Sequence, residues 1–487
     1  VTEIDADPER EAGALTDYPL LIDGRWQAGE GERIAVLDKY RLEPFATVRA
    51  ASVEQAERAL DSAHAAFRQG APTPYERGAV LERAARLVEE RADDFVRTMQ
   101  REAGFTAADG RGEVARAVET LRLSAEEARR LVGEVVPIAG APKQAGRMAF
   151  TLRVPLGVVL AITPFNSPLN TVAHKVAPAF AAGNAVILKP STNTPVTAYR
   201  LAAALVDAGM PAGFLSLVNA RGAALQGLMD DTRVRFFAFT GSTEVGRGIQ
   251  RVAGLRRTQM ELGSIAHTIV CDDADLDRAL PKIVAAGYRK AGQVCTSVQL
   301  LLVQDTVMDV VAERLAALVA ALPHGDPFAP DTVVGPVISE REAARIDAWV
   351  EEAVRQGATR LAGGPRRGAV VPPTLLAGVD TSMRVGCCEI FGPVVCLVPF
   401  TTLDEAIERV NATPFGLAAG IFTNRLLDAL KAAERIEAGG VHINETSSAR
   451  VDLMPYGGSK DSGFGREGPR YAIHEMTEER VVSISTL

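Results

Sequence analysis

From Gly157 onward the chain alternates short buried strands with helices, and this alternation limits its fold more than any other feature. Gly157-Val158-Val159-Leu160-Ala161-Ile162 is an uninterrupted apolar run. It breaks at Thr163-Pro164-Phe165-Asn166, and a helical stretch follows to about Gly183. Ala185 to Leu188 reads as the next strand, followed by a loop with Pro190 and Pro195 and a further helix. Phe214 to Val218 and Arg235 to Phe239 repeat the theme. Strands alternating with helices build βαβ units and a parallel sheet. The same alternation from about Leu262 to Ile443 predicts a second α/β domain.

The first third is helical in pattern. Val53, Ala56, Leu60, Ala63 and Phe67 recur every three or four residues. Further amphipathic runs cover about Glu76 to Met99 and Asp109 to Leu131. Segments around Val135 to Leu152 and Glu479 to Leu487 are strand-like but belong to neither α/β series. Orphan strands of this kind pair across subunits, so a homodimer or homotetramer is expected.

The 487 residues are ample for about three domains. With 47% hydrophobic and 23% charged residues the composition is that of a globular protein. A net charge of -8 argues against a nucleic-acid or membrane surface. No apolar run approaches the ~20 residues of a membrane span. The polar start Val1-Thr2-Glu3-Ile4-Asp5 carries no secretory pattern, and a first residue other than Met reads as a processed or trimmed chain. The five cysteines, Cys271, Cys295, Cys387, Cys388 and Cys396, have no paired spacing and read as reduced thiols in the cytoplasm. Adjacent Cys387 and Cys388 could form a metal or redox pair, but six scattered histidines supply no ligand cluster and no metal is expected.

Several loops carry chemistry. Cys295 lies in Gly292-Gln293-Val294-Cys295-Thr296-Ser297, a small polar segment before the apolar run Val298 to Val303. A thiol between a glycine turn and a buried strand can face a cleft as a nucleophile once ionised, or be an inert buried Cys. Ligands bind at the carboxyl ends of parallel strands, so the loops that follow the first strands should converge. Phe239-Thr240-Gly241-Ser242-Thr243-Glu244-Val245-Gly246 offers backbone N–H groups and a helix start at Ser242 or Thr243 to an anion such as a pyrophosphate. Lys189-Pro190-Ser191-Thr192 suits a ribose or phosphate, or is an exposed loop. Glu261, before Leu262-Gly263-Ser264, is a general base or a solvated strand end. Asn166 donates to an oxyanion or caps the following helix.

Taken in order, Pro164-Phe165-Asn166, Lys189-Pro190-Ser191, Phe239-Thr240-Gly241-Ser242, Glu261-Leu262-Gly263, Gly292-Gln293-Val294-Cys295, Glu389-Ile390-Phe391-Gly392-Pro393 and Pro455-Tyr456-Gly457-Gly458 resemble the aldehyde dehydrogenase superfamily. The resemblance runs from about Pro19 to the C-terminal strand. It implies an α/β fold with a Rossmann-like cofactor domain (1–130 and 150–261), a second α/β catalytic domain (262–465) and a small β oligomerisation arm and tail (131–149 and 466–487). It implies Cys295 as the nucleophile that forms a thiohemiacetal and then a thioester, Asn166 in the oxyanion hole, and Glu261 as the base for deacylation. Cofactor contacts are implied at Ile162, Thr163, Pro164, Phe165, Lys189, Ser191, Thr192, Gly222, Phe239, Gly241, Ser242, Val245, Leu262, Glu389 and Phe391.

Two departures stand out. Ser264 replaces the usual fourth-position Gly after Glu261, and Thr192 stands where NAD-selective members often carry Glu. A neutral Thr192 does not repel a 2′-phosphate, so NADP is admissible. No second Lys or Arg stands between Lys189 and Thr197, so NAD is expected marginally ahead. Arg116 and Arg450, with Asn170, His174 and Tyr456, fall where the resemblance implies pocket walls. An arginine fork suits phosphate, phosphonate or carboxylate, which points to a small anionic or hydroxylated aldehyde of the phosphonoacetaldehyde or glyceraldehyde-3-phosphate kind. Val294 departs from phosphate-handling relatives that carry Arg there. The alternatives are a CoA-acylating enzyme, against which Glu261 argues, and a catalytically silent binding or structural protein.

Overall fold

The structure, a computed structural model, describes residues 15–485. The first five residues, whose lack of a secretory pattern is noted above, lie outside the described residues, as do the outer ends of the expected domains at 1–14 and 486–487.

An eight-stranded sheet forms the first layer system. Its five central strands are parallel, in the spatial order Arg257–Glu261, Val234–Thr240, Val158–Ile162, Ala185–Lys189, Leu215–Leu217. Val158–Ile162 is buried at every residue, as a strand covered by helices on both faces must be. The chain first builds outward to Leu215–Leu217, then returns to place Val234–Thr240 on the other side of Val158–Ile162. That reversal opens a crevice at the carboxyl ends of these two strands. Thr163 to Asn166 and Thr240 to Ser242 border it. The helix after Val234–Thr240 starts at Thr243 with Ser242 accepting from the Val245 N–H, as expected.

A seven-stranded sheet in the order Thr359–Ala362, Thr374–Ala377, Val394–Phe400, Val298–Gln304, Ala266–Val270, Ala418–Phe422, Gly440–Ile443 forms the second system; only its first pair is antiparallel. Cys295 lies three residues before Val298–Gln304, at the amino end of its strand. The segments Val135–Val136, Arg147–Pro155 and Thr477–Ser485 pair with one another in a separate antiparallel sheet. Its Val135, Met148, Leu152, Val481 and Ile484 are exposed.

Two details differ from the sequence pattern. The helical run expected over Glu76 to Met99 is two helices, Pro74–Glu90 and Ala92–Glu102, broken at Arg91. Asp93 and Asp94 favour a new N-terminus there through the helix dipole. The first third is not helical throughout: residues 16–49 hold five short strands. The hairpin of Leu20–Ile22 and Arg25–Gln27 turns at Asp23 and Gly24, both with positive φ (52° and 68°), the conformation an Asp-Gly hairpin favours. Among the described residues no helix is long and apolar enough to cross a membrane.

Candidate active site

A cleft of about 1230 Å³ opens at the crevice and reaches the second sheet, with Cys295, Glu261 and Asn166 in its wall. Every residue expected to contact a cofactor lines it except Gly222. Gly222 instead begins the helix Gly222–Asp230, whose Leu225, Gln226 and Met229 form part of the wall. These three carry no sequence motif. An added Cβ on Gly241 would meet the Phe239 ring at 2.5 Å, so only glycine leaves the strand end this narrow. The hydroxyl of Thr163 is buried without a partner, and Lys189 has no carboxylate within salt-bridge distance among the described residues. Burial and then Arg221 hold the Lys189 ammonium below its ordinary pKa. Opposite, Glu389 accepts the Ser264 N–H at 3.0 Å, and burial pushes its carboxyl up to about 7. The Ser264 contact is through the backbone, so serine in place of glycine preserves it. A partnerless hydroxyl and an ammonium without a carboxylate on one side of the cleft, and a buried carboxyl on the other, suit a dinucleotide with two riboses and a pyrophosphate.

The Cys295 Sγ donates to Glu261 Oε1 at 3.0 Å and lies 2.9 Å from Tyr456 Oη. Burial, with the Glu261 charge behind it, raises the thiol well above its ordinary value. Burial and then Glu467 also raise Glu261. Both groups therefore resist ionising, and Glu261 is the carboxylate within reach of the thiol proton. The helix after Asn166 begins at Asn170 with Leu169 as its cap, so Asn166 does not cap it. The Asn166 amide has no hydrogen-bond partner among the described residues and remains open to the cleft.

The segment before Cys295 is strained. Lys290, Ala291 and Gly292 are consecutive left-handed residues (φ 51°, 52° and 68°). A Cβ on Gly292 would stand 2.0 Å from the Gly392 carbonyl oxygen. For residues other than glycine this backbone costs about 1–2 kcal/mol each. The buried Lys290 ammonium donates to Glu113 Oε1 at 2.6 Å and to the Asn166 carbonyl at 3.2 Å. Glu113 also accepts from Ser167 Oγ at 2.9 Å and the Asn170 N–H at 3.1 Å. One buried ion pair thus ties the Cys295 segment to the Asn166 turn.

Of the residues expected at the substrate, Tyr456 touches Cys295, while the others form a buried network behind it. Arg116 pairs with Asp452 through Nη2 (2.7 Å) and Nε (3.2 Å). His174 Nε2 lies 2.8 Å and Asn170 Nδ2 3.2 Å from the same carboxylate. The proton on His174 is assigned to Nε2 by this contact. Burial keeps His174 below its ordinary pKa, and the network holds Asp452 well below the carboxylate range. Arg450 pairs with Glu467 at 2.9 Å and stacks 3.7 Å from the Tyr456 ring centroid. Lys175, fully buried, pairs with Glu467 at 2.7 Å. Thr240 Oγ1 lies 3.2 Å from Glu261 and 3.4 Å from Glu467.

Arg289 was not singled out by its sequence context. It donates to Ser448 Oγ at 2.7 Å and has no carboxylate partner within 4.0 Å among the described residues. Burial, then Arg116, lower its pKa, and the Cys295 sulfur is within its electrostatic reach. Its signal in the sequence is an Arg-Lys pair just upstream of a candidate nucleophile.

The aldehyde dehydrogenase family model matches residues 26–482. This chain belongs to the aldehyde dehydrogenase family. It is 44% identical over 472 residues to 3-sulfolactaldehyde dehydrogenase of Priestia aryabhattai, covering 97% of this chain and 98% of that one. The crystal structure of aldehyde dehydrogenase 21 from Physcomitrella patens, in complex with the reaction product succinate, superimposes with a TM-score of 0.94 at 37% identity, covering 97% and 99% of the two chains. That of NADP-dependent glyceraldehyde-3-phosphate dehydrogenase from Bacillus halodurans, complexed with NADP, has a TM-score of 0.93 at 34% identity, covering 96% and 99%. The aldehyde dehydrogenase is an NAD(P)-dependent oxidoreductase that converts an aldehyde to its carboxylic acid.

The Lys290–Glu113 pair makes one prediction independent of chemistry. Lys290→Met leaves a buried Glu113 unpaired and should lower unfolding free energy by about 3–5 kcal/mol. Lys290→Met with Glu113→Gln should recover most of that loss in urea unfolding; equal loss in both variants contradicts a direct pairing.

Proposed function

We propose that Cys295 attacks a small aldehyde carrying a distal anionic group and that Glu261 manages the protons of both half-reactions. The observation that carries this reading is the 3.0 Å contact between Cys295 Sγ and Glu261 Oε1 in the cleft wall. Glu261 takes the thiol proton as sulfur bonds to the carbonyl carbon. The resulting oxyanion accepts from the Asn166 amide and the Cys295 N–H, donors of the kind that stabilise such charge. A nicotinamide bound in the cleft would supply the hydride acceptor, and loss of hydride from the carbon leaves a thioester on Cys295. Glu261 releases the thiol proton to solvent through the open cleft and then removes a proton from water as it attacks the thioester; that proton passes to the departing sulfur, and the carboxylic acid leaves with the thiol restored. Thr240 Oγ1, 3.2 Å from Glu261 and 3.4 Å from Glu467, helps to orient the base. Lys189 and Glu389 hold the two riboses, and the Gly241–Ser242 turn the pyrophosphate. Residues 1–130 with 150–261 serve the dinucleotide, 262–465 the nucleophile, and 131–149 with 466–487 self-association. The exposed apolar side chains of the small β sheet support a homo-oligomer, and the reduced cysteines a cytoplasmic enzyme.

The substrate's anion is assigned chiefly to Arg289. Arg116 is paired with Asp452, and Arg450 shares Glu467 with Lys175, whereas Arg289 has only a hydroxyl partner. A guanidinium near the nucleophile, crowded by Arg116, is a site for a carboxylate, sulfonate or phosphate. The relatives named for sulfolactaldehyde and glyceraldehyde 3-phosphate, and the one that holds succinate, all handle compounds with such a group. NADP is accepted as well as NAD: Thr192 is neutral, and Arg221, though paired with Glu32 at 3.3 Å, is close enough to Lys189 to lower its pKa and adds basic charge beside that loop.

Three experiments test this reading. In rapid mixing, Glu261→Gln should slow both the first release of reduced cofactor and the steady state that follows, and Cys295→Ala should give no reduced cofactor; a burst at the unaltered rate in Glu261→Gln contradicts transfer of the thiol proton to Glu261, and fast steady state in either variant contradicts the assignment. Arg289→Met should raise KM for an anionic aldehyde about 10–100-fold while changing a neutral one of similar size little, the loss of a charge-assisted contact of about 1.5–3 kcal/mol. Equal effects on both would remove the anion site. Arg221→Ala should weaken NADP about five- to tenfold and NAD less than about twofold; parallel losses would place Arg221 outside the 2′-phosphate site.

A further inference from the structure

The adjacent thiols of Cys387 and Cys388 have no part in the reaction above. Their sulfurs lie 3.8 Å apart, Cys387 is exposed and Cys388 partly so. Among the described residues they are the only two cysteine sulfurs within hydrogen-bond range of each other. They immediately precede Glu389, whose carboxylate faces the cofactor cleft.

The backbone between the thiols and that cleft is tightly held. Gln299, on the strand that follows Cys295, is buried. Its Nε2 donates to the Cys388 carbonyl at 2.7 Å and its Oε1 accepts the Ile390 N–H at 2.9 Å. Glu389 sits between these two anchors and accepts the Ser264 N–H at 3.0 Å. Glu389 thus follows Cys388 directly, in a backbone held on both sides by Gln299.

We propose that Cys387 and Cys388 form a modification site at which a peroxide closes a vicinal disulfide, weakening cofactor binding by displacing Glu389. The thiolate of one cysteine attacks a peroxide oxygen, the O–O bond breaks, and a sulfenic acid and water (or an alcohol) form. The second thiol attacks that sulfur; the S–S bond forms and the sulfenic oxygen leaves as water. Two electrons pass from the sulfur pair to the peroxide, and a thiol reductant reverses the step by exchange.

Closure has a structural cost that falls on Glu389. The sulfurs must approach from 3.8 Å to about 2.0 Å. Neighbouring Cα atoms across a trans peptide are about 3.8 Å apart, below the usual disulfide range of about 4.4–6.8 Å. The bridge is therefore strained and readily reduced, which suits a reversible modification. Burial and the adjacent Cys388 raise the Cys387 thiol above its ordinary value, so closure accelerates as pH rises.

This inference rests on Glu389 as a cofactor contact, and the test separates the two. Full-length Cys295→Ala protein removes the competing oxidation of the nucleophile. Treated with hydrogen peroxide, its peptide spanning 387–388 should lose two hydrogen masses. Its Kd for NAD or NADP should rise at least about fivefold and return on reduction with dithiothreitol. Added Cys387→Ser should leave the Kd unchanged by peroxide. Separate oxidation of the two sulfurs without a bridge, or a bridge with unchanged Kd, overturns the proposal. Glu389→Gln in reduced protein checks the contact by itself: unchanged affinity there rejects the Glu389 reading and the route proposed through it, while leaving bridge formation to the mass measurement.

Discussion

Everything at the active site depends on holding the ends of two sheets against each other. One sheet contributes the carboxyl ends of its strands, where Asn166 and Glu261 stand; the other contributes the amino end of a strand, where Cys295 stands. Neither end is complete alone. The Lys290–Glu113 pair crosses the junction and holds a left-handed backbone that would otherwise relax. A buried pair often adds little to stability over an apolar replacement, but removing one partner is costly. Its value here is geometric: it constrains the position of Cys295 relative to the Asn166 turn.

The electrostatics around Cys295 follow a related logic. Glu467 is shared by Lys175 and Arg450, and Asp452 pairs with Arg116, so each of these cations behind the nucleophile has a carboxylate partner within the protein. What is left is a thiol and a carboxyl that both resist ionisation, and one guanidinium without a carboxylate. Such a site is poised for reactants that bring their own complementary groups.

The sequence makes the repeated strand–helix units legible because buried parallel strands read as continuous apolar runs. It also makes the cleft-lining loops legible, because glycine, proline and a terminal polar residue mark each strand end. Less was legible where information is local and weak, as in the short strands before Arg49, or long-range. Arg116 and Asp452 are separated by 336 positions, so the residue is readable while its neutralising partner is not. Lys175 and Glu467 are hidden for the same reason. The sequence leaves Asn166 open as cap or oxyanion donor; the helix start at Asn170 excludes the cap. Arg289 is an ordinary charged residue in the sequence, and only its lack of a carboxylate in three dimensions distinguishes it.

The last part of the chain closes the structure in several places at once. Gly463–Phe464 covers the edge of Arg257–Glu261, Glu467 lies beneath the site, and the Met476 carbonyl accepts from buried Asn184. During synthesis the nucleophile and its base therefore emerge long before the residues that bury and neutralise their surroundings. Until those arrive, the strand ending in Glu261 has an open edge and Lys175 lacks its counter-charge. The catalytic centre is therefore complete only once residues 463–476 have joined the first sheet.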